Sequence, residues 1–393
     1  MKASWAGLSR IEEVRASARG WNAAGAIDDA TLSAIETAYP DPRLRLHGVW
    51  RVLIFVLVSV VVNALFFMLQ PGSVLFAPSI AFGLLLAGAT EGLRGSRYAG
   101  TGLDAASSFW AVIYLLVAVG DVLFRGSSHE ETSITAMLAI VAAVSALAAF
   151  RWGFVVYAVC AAGAAYALLG RFPGARPFWI VASIAAIVFL SRRTDAATLA
   201  PDHRRGLAAA VAVSAAALYA AVNLYSLDHG FIEALATNGE GLQSMGQARA
   251  VAPPARLLAG LATAVYPVIF LAWGIRARRT LLLGVGLGAT ALSAATLRFY
   301  VHIGPLWEVL AVCGVILIAA AIAIQRALRG RPAGEWRGLT AEPLYDRERG
   351  GISPLGVLVA HAAGGAIPTT APENGGLTTD GGRYGGGGAS GTY

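Results

Sequence analysis

Residues 49 to 69 read VWRVLIFVLVSVVVNALFFML, a run with a single charge, Arg51. At 1.5 Å per helical residue, such a run matches the roughly 30 Å hydrocarbon layer of a bilayer. Runs of this kind recur along the chain. Its 393 residues are 56% hydrophobic and 13% charged, with mean hydropathy +0.63. An average soluble domain is about 25% charged, and one buried core cannot hide so many long apolar runs. The fold class is therefore all-α, a polytopic helical membrane protein. A membrane β-barrel would show period-2 alternation in segments of about ten residues, and these runs are continuous. The first run follows a polar segment, too late and too long for a cleaved signal peptide.

Ten spans are expected, at about 49–69, 74–92, 109–124, 134–150, 153–170, 177–190, 206–226, 256–275, 280–297 and 304–325. The fourth and fifth are joined only by Arg151-Trp152-Gly153, so the count needs an independent check. Cytoplasmic loops carry the excess of Lys and Arg. With the N-terminus inside, 24 of the 30 basic residues fall inside and six outside, namely Arg125, Arg171, Arg176, Arg249, Arg256 and Arg298. A miscounted span would mix the two sets. The expected topology is ten spans in a bacterial inner membrane with both termini cytoplasmic. The same asymmetry accounts for the net charge of +7 without nucleic acid. Trp50, Trp110, Trp152, Trp179, Trp273 and Trp307 fall near expected span ends, where the amphipathic ring suits the headgroup level.

Three regions result: a cytosolic helical hairpin over 1–46, a ten-span bundle over 47–328 and a disordered tail over 329–393. In the hairpin, Trp5, Leu8, Ile11 and Val14 recur at helical spacing and Gly20 stops the first helix. Asp28 or Asp29 caps a second helix with Leu32, Ile35 and Tyr39 on one face, and Pro40 ends it. The tail is rich in Gly and Pro, and residues 375–393 hold nine glycines. Such a segment buries too little apolar surface to offset chain entropy. ISPLGVLVA at 352–360 is a short docking candidate, too short to span.

The N-terminal WNAAGAIDDATLSAIETAYP (21–40) resembles the start of a family of bacterial inner-membrane proteins of unknown function. Those chains place a short cytosolic hairpin, with a Gly-Leu/Ile-x₇-Ile core, before about eight to twelve spans. Here Ala26 intervenes between Gly25 and Ile27, ahead of Ile35. The Arg298-Phe299-Tyr300 stretch is similar to the close of that family's last hairpin. The terminal GGGGASGTY resembles the ends of membrane proteins that carry a TPM domain, although this chain has no such domain. Neither resemblance implies a catalytic residue.

Catalytic signatures are not found. HEETS (129–133) lacks the second His that would bring two imidazoles to one metal. GVGLGA (284–289) lies mid-span, and Gly284 and Gly288 have the small-xxx-small spacing of close helix packing. The single lysine, Lys2, rules out a Walker-type site. Cys160 and Cys313 lie within apolar runs and read as small buried residues. His129, Glu130 and Glu131 in one outer loop and Asp228, His229 and Glu233 in another are ligand types that suit zinc. Outer loops carry such residues for solvation alone, so no metal and no cofactor is assigned.

Ionisable groups within spans are costly and face protein or water. Seven polar residues fall toward the outer ends of spans: Asn63, Asp121, Asn223, Tyr225, Arg298, His302 and Glu308. They form a candidate outward polar pocket, with Arg298 paired to Asp121 or Glu308. The competing reading places each at an interface, with Arg298 snorkelling. Gly304-Pro305 is the expected outer turn of the last hairpin. The function that follows is a membrane scaffold, sensor or assembly partner, its partners being the bilayer and a protein engaged by the hairpin or tail. The alternative is a transporter of a small polar or anionic solute.

Overall fold

A computed structural model describes residues 3–23, 25–44, 46–69, 76–125, 130–172, 174–194, 199–234, 252–277, 279–302, 305–329, 335–336 and 339–340. Residues 1–348 cluster as one unit and 349–393 as a second, which lies outside the described residues. The glycine-rich end and the 352–360 stretch belong to that second unit. Between the bundle and this unit, Glu335–Trp336 and Leu339–Thr340 form a two-residue antiparallel ladder.

Two helices open the chain, α1 (Ala3–Ala23) and α2 (Asp29–Ala38). Gly20 does not stop α1, which runs to Ala23. A glycine inside a helix costs only about 1 kcal/mol relative to alanine, and the contacts of α1 with α2 outweigh it. Asp28 caps α2 by accepting the Thr31 backbone N–H at 2.8 Å. Arg15 and Arg19 of α1 both pair with Glu36 of α2, which closes the hairpin.

Ten apolar helices follow: α3 (Gly48–Leu69), α4 (Phe76–Arg94), α5 (Leu103–Arg125), α6 (Glu130–Trp152), α7 (Val155–Gly170), α8 (Ala175–Thr194), α9 (Pro201–Val222), α12 (Pro253–Arg276), α13 (Thr280–Val301) and α14 (Leu306–Arg329). Among the described residues two short helices, α10 (Leu224–Asp228) and α11 (Phe231–Ala234), lie between α9 and α12. Among the described residues nine helices are long and apolar enough to cross a membrane. The tenth, α7, has 16 residues. It turns back from α6 at Gly153, in the left-handed region at φ +75°, and hands on to α8 at Gly174. A side chain on Gly153 would also press on Asp202 and His203. The chain is a multi-pass helical membrane protein.

Among the described residues the buried side chains form three aromatic-containing clusters. In the first, Val62 and Phe66 of α3 meet Leu86 of α4, Tyr114 of α5, Trp152 of α6 and Tyr157 of α7. In the second, Ile187 of α8 meets Val211 and Tyr219 of α9, Tyr266 and Phe270 of α12, and Leu282 of α13. The third joins Tyr166 of α7 to Trp179 of α8, Ala217 and Ala221 of α9 and Ile232 of α11. Helix α14 packs on α13 and buries none of its 18-residue apolar window.

Two details depart from the sequence reading. Helix α5 begins at Leu103, not 109, because Ser107 and Ser108 are buried as partners of Thr90 (3.0 Å) and Tyr157 (3.0 Å). Trp110 therefore sits two turns inside the helix instead of at its end. In α13 a Cβ added to Gly284 or Gly288 would meet no neighbour within 4 Å, whereas one on Gly286 would lie 2.9 Å from the backbone of Leu271. The buried positions Leu282, Gly286, Ala289, Ser293 and Thr296 share one helical face. Residues 284 and 288 point away from it.

Candidate functional site

Helix α9 is the most buried span, with 44% of its window inside the protein. Its first turn, Asp202-His203-Arg204-Arg205, follows Pro201 at the helix start, where a proline costs no hydrogen bond. Each of the first three residues holds a different element. Asp202 pairs with Arg94 of α4 at 3.1 Å. The His203 ring donates from Nε2 to the Phe150 carbonyl of α6 at 2.8 Å. Arg204 pairs with Glu13 of α1 at 2.5 Å. The same end of the bundle holds Asp104, buried to 1%, facing Arg94 at 3.8 Å, and Glu91 bonded to both Arg151 and Trp152. Arginines dominate here, so it is called the basic end.

At its other end α9 stops at Val222. Asn223 adopts extended backbone (φ −67°, ψ 134°), and its Oδ1 caps α10 by accepting the Ser226 N–H. The break is filled by a directed chain of hydrogen bonds. Asn223 Nδ2 donates to the Tyr219 hydroxyl (2.8 Å), which meets Ser293 Oγ (2.8 Å), which donates to the Thr263 carbonyl (2.7 Å). That carbonyl is open because Pro267, four residues on, has no N–H to offer it. The Thr263 hydroxyl accepts the Leu224 N–H freed by the break. Arg176, on α8, donates to the carbonyls of Ala221 and Ser226, both at 2.7 Å. Backbone groups at membrane depth must be satisfied within the protein, and these side chains do so.

Beyond the break lies Asp228, 2% exposed. Its Oδ2 accepts the Tyr300 hydroxyl at 2.7 Å and pairs with Arg256 at 3.2 Å. Its Oδ1 is buried and has no partner among the described residues. Tyr225 stacks on His229 at 4.0 Å, and Phe299 meets both edge-on.

The seven polar residues singled out from the sequence lie on different helices, from α3 to α14. Asn63 of α3 donates to the Ser59 carbonyl and accepts the Tyr114 hydroxyl. Asp121 of α5 is bonded at 2.6 Å by Arg125, one turn along its own helix. Among the described residues no ion pair joins Arg298 to Asp121 or Glu308, and α5, which carries Asp121, shares no buried cluster with α13. Asn223 and Tyr225 come together with the last turns of α13, where Arg298 is half-buried. His302 ends α13 in a left-handed cap at φ 54°. Glu308 is exposed in the first turn of α14; Gly304 lies outside the described residues. His129 and the side chains of Glu130 and Glu233 also lie outside them.

Sequence reasoning missed Arg176, Arg256 and Tyr300 as partners. Their contacts span 28 to 72 residues of chain. The one local signal was that Arg176 and Arg256 belong to the six basic residues of the arginine-poor side. No family model, no curated protein and no solved structure matches this chain.

Proposed function

We propose that the chain is a membrane-embedded sensor in a bacterial inner membrane, with the basic end, the hairpin and the tail in the cytoplasm. The arginine asymmetry supports the orientation. One observation carries the functional reading. Helix α9 holds the hairpin by Arg204 at one end and starts the broken α9–α10 segment by Asn223 at the other. A single rigid helix, about 30 Å long, so joins an outward-facing polar corner to a docked cytoplasmic element. The break is held by side-chain hydrogen bonds to neighbouring helices, and the Glu13–Arg204 pair is exposed enough to open.

A transporter would use a discontinuous helix of this kind to hold solute. Here the Leu224 N–H and the Ala221 and Ser226 carbonyls are taken by protein side chains. That favours a fixed joint over a solute path.

Hydrogen exchange in nanodiscs tests the reading. Glu13→Gln is expected to raise exchange in α1 and α2, and Asn223→Ala is expected to alter exchange in the same two helices from the far end. Changes from Asn223→Ala confined to α9, α10, α12 and α13 would sink it.

A further inference from the structure

The Asp228 corner has the chemistry of a cation site that the protein itself fills incompletely. A buried ionised carboxylate has about four lone-pair positions to satisfy. Here both contacts fall on Oδ2, and Oδ1 is enclosed without a partner among the described residues. Arginine favours two parallel bonds to a carboxylate. Arg256 meets Oδ2 at 3.2 Å, with its side chain 54% exposed. Its guanidinium carbon also stands 5.5 Å from the centre of the Tyr300 ring, within the range of cation–π attraction. The corner thus already draws a positive charge over an aromatic face and against a buried acid.

Its surroundings decide which cation. Phe299 contacts the Tyr300 ring at 5.3 Å and the Tyr225 ring at 5.4 Å. Both Phe299 and Tyr225 are largely exposed, at 53% and 43%. His229 donates from Nδ1 to the Tyr225 carbonyl, so in its neutral form Nε2 is an acceptor. A hydrated inorganic ion gains little from aromatic faces. An ammonium with carbon substituents gains from the rings, the carboxylate and the imidazole together.

We propose that Asp228, Tyr300, Phe299, Tyr225 and His229 bind a small organic ammonium ion, and that Arg256 is an intramolecular occupant which the ligand displaces. The assignment supplies the ligand class for the sensor reading and rests on it only for its meaning, because binding is measured without reference to the hairpin.

The test uses the full chain in dodecyl maltoside, which has no ammonium headgroup. Tetramethylammonium chloride is titrated against sodium chloride at equal ionic strength, with saturation-transfer NMR as the readout. Saturable binding is expected, weakened about tenfold or more by Asp228→Asn and tightened about fivefold by Arg256→Gln. Phe299→Ala, at an exposed ring, is expected to weaken binding several-fold with an unchanged melting temperature, and it carries the test should Arg256→Gln not fold. Absence of saturable binding in the wild type and both ring and charge variants overturns the proposal. So does binding that Asp228→Asn leaves unchanged, or equal competition by sodium. Binding that persists while hairpin exchange stays unaltered upholds the site and removes the sensor reading.

Discussion

The two ends of the bundle are both held by buried acids, but in different ways. At the basic end Asp104 faces Arg94, which also pairs with Asp202, and Glu91 is bonded to Arg151 and Trp152. These contacts link α4, α5, α6 and α9, and Arg94 is further fixed over the Phe154 ring at 4.5 Å. At the opposite end Asp228 relies on a tyrosine hydroxyl and one half-exposed arginine, beside a helix that has already broken. Each acid keeps one oxygen without a partner among the described residues, Oδ1 of Asp104 and Oδ1 of Asp228, but the first end ties four helices together through charged pairs while the second rests on one half-exposed arginine. Buried charges that lose a partner are expensive, so the cross-linked end is where the fold is committed. The other end retains room to respond.

Substitutions at the two ends sharpen this contrast. The largest effect is expected from Arg94→Ala, which leaves Asp104 buried without its cation. A loss of about 3–5 kcal/mol follows for a broken buried pair, read as a large fall in melting temperature in detergent or a collapse in membrane yield. A fall no larger than that of an exposed pair would place the commitment elsewhere.

Next in size is Gly286→Ala, whose new methyl meets the Leu271 backbone and separates α12 from α13. About 1–3 kcal/mol is expected for such overpacking. Gly288→Ala, two residues on, points into open space and is expected to be neutral or slightly stabilising in the same thermal melt.

A smaller effect concerns the hairpin at the basic end. The hydrogen bond from Arg19 holds the Glu36 carboxyl below its ordinary 4.5, and the Thr31 hydrogen bonds hold Asp28 below 3.8. Both groups therefore add stability above those ordinary values and lose it as pH falls through the lower folded ones. Hydrogen exchange is expected to show α1 and α2 opening as pH falls below about 4, while exchange in the spans is unaffected. Hairpin opening that starts near neutral pH would point to other groups.

Least of all is expected from Arg125→Ala. Arg125 is itself half-exposed and pairs within one helix, where such pairs contribute about 1 kcal/mol or less, although Asp121 is only 9% exposed. A change as large as that of Arg94→Ala would restore Asp121 to a wider site.

Much of the architecture was legible in the sequence because bilayer thickness imposes a length on apolar runs. The spans before α9 and after α11, the α2 cap at Asp28 and the turn at Gly153 all follow from local rules. Boundaries failed where polar residues were hidden by packing, as at Ser107 and Ser108 of α5, since hydropathy cannot tell a buried serine from a solvated one. The Gly284–Gly288 spacing misled because many helix faces show small residues, and only the partner helix decides which face is used. The polar corner was half visible: Asn223 and Tyr225 announced it, but Asp228 reads as a loop residue until Tyr300 and Arg256 fold over it. Contacts between helices far apart in sequence leave no mark on a single chain.

The central claim is that the two ends of α9 are coupled. The most direct measurement is the distance between spin labels on the hairpin at Thr37→Cys and on the end of α8 at Arg193→Cys, both exposed positions, in a chain otherwise free of Cys160 and Cys313. The account predicts that Asn223→Ala, at the far end of α9, broadens or shifts this distance in the same sense as Glu13→Gln. A distribution unchanged by Asn223→Ala, while Glu13→Gln moves it, would contradict the account.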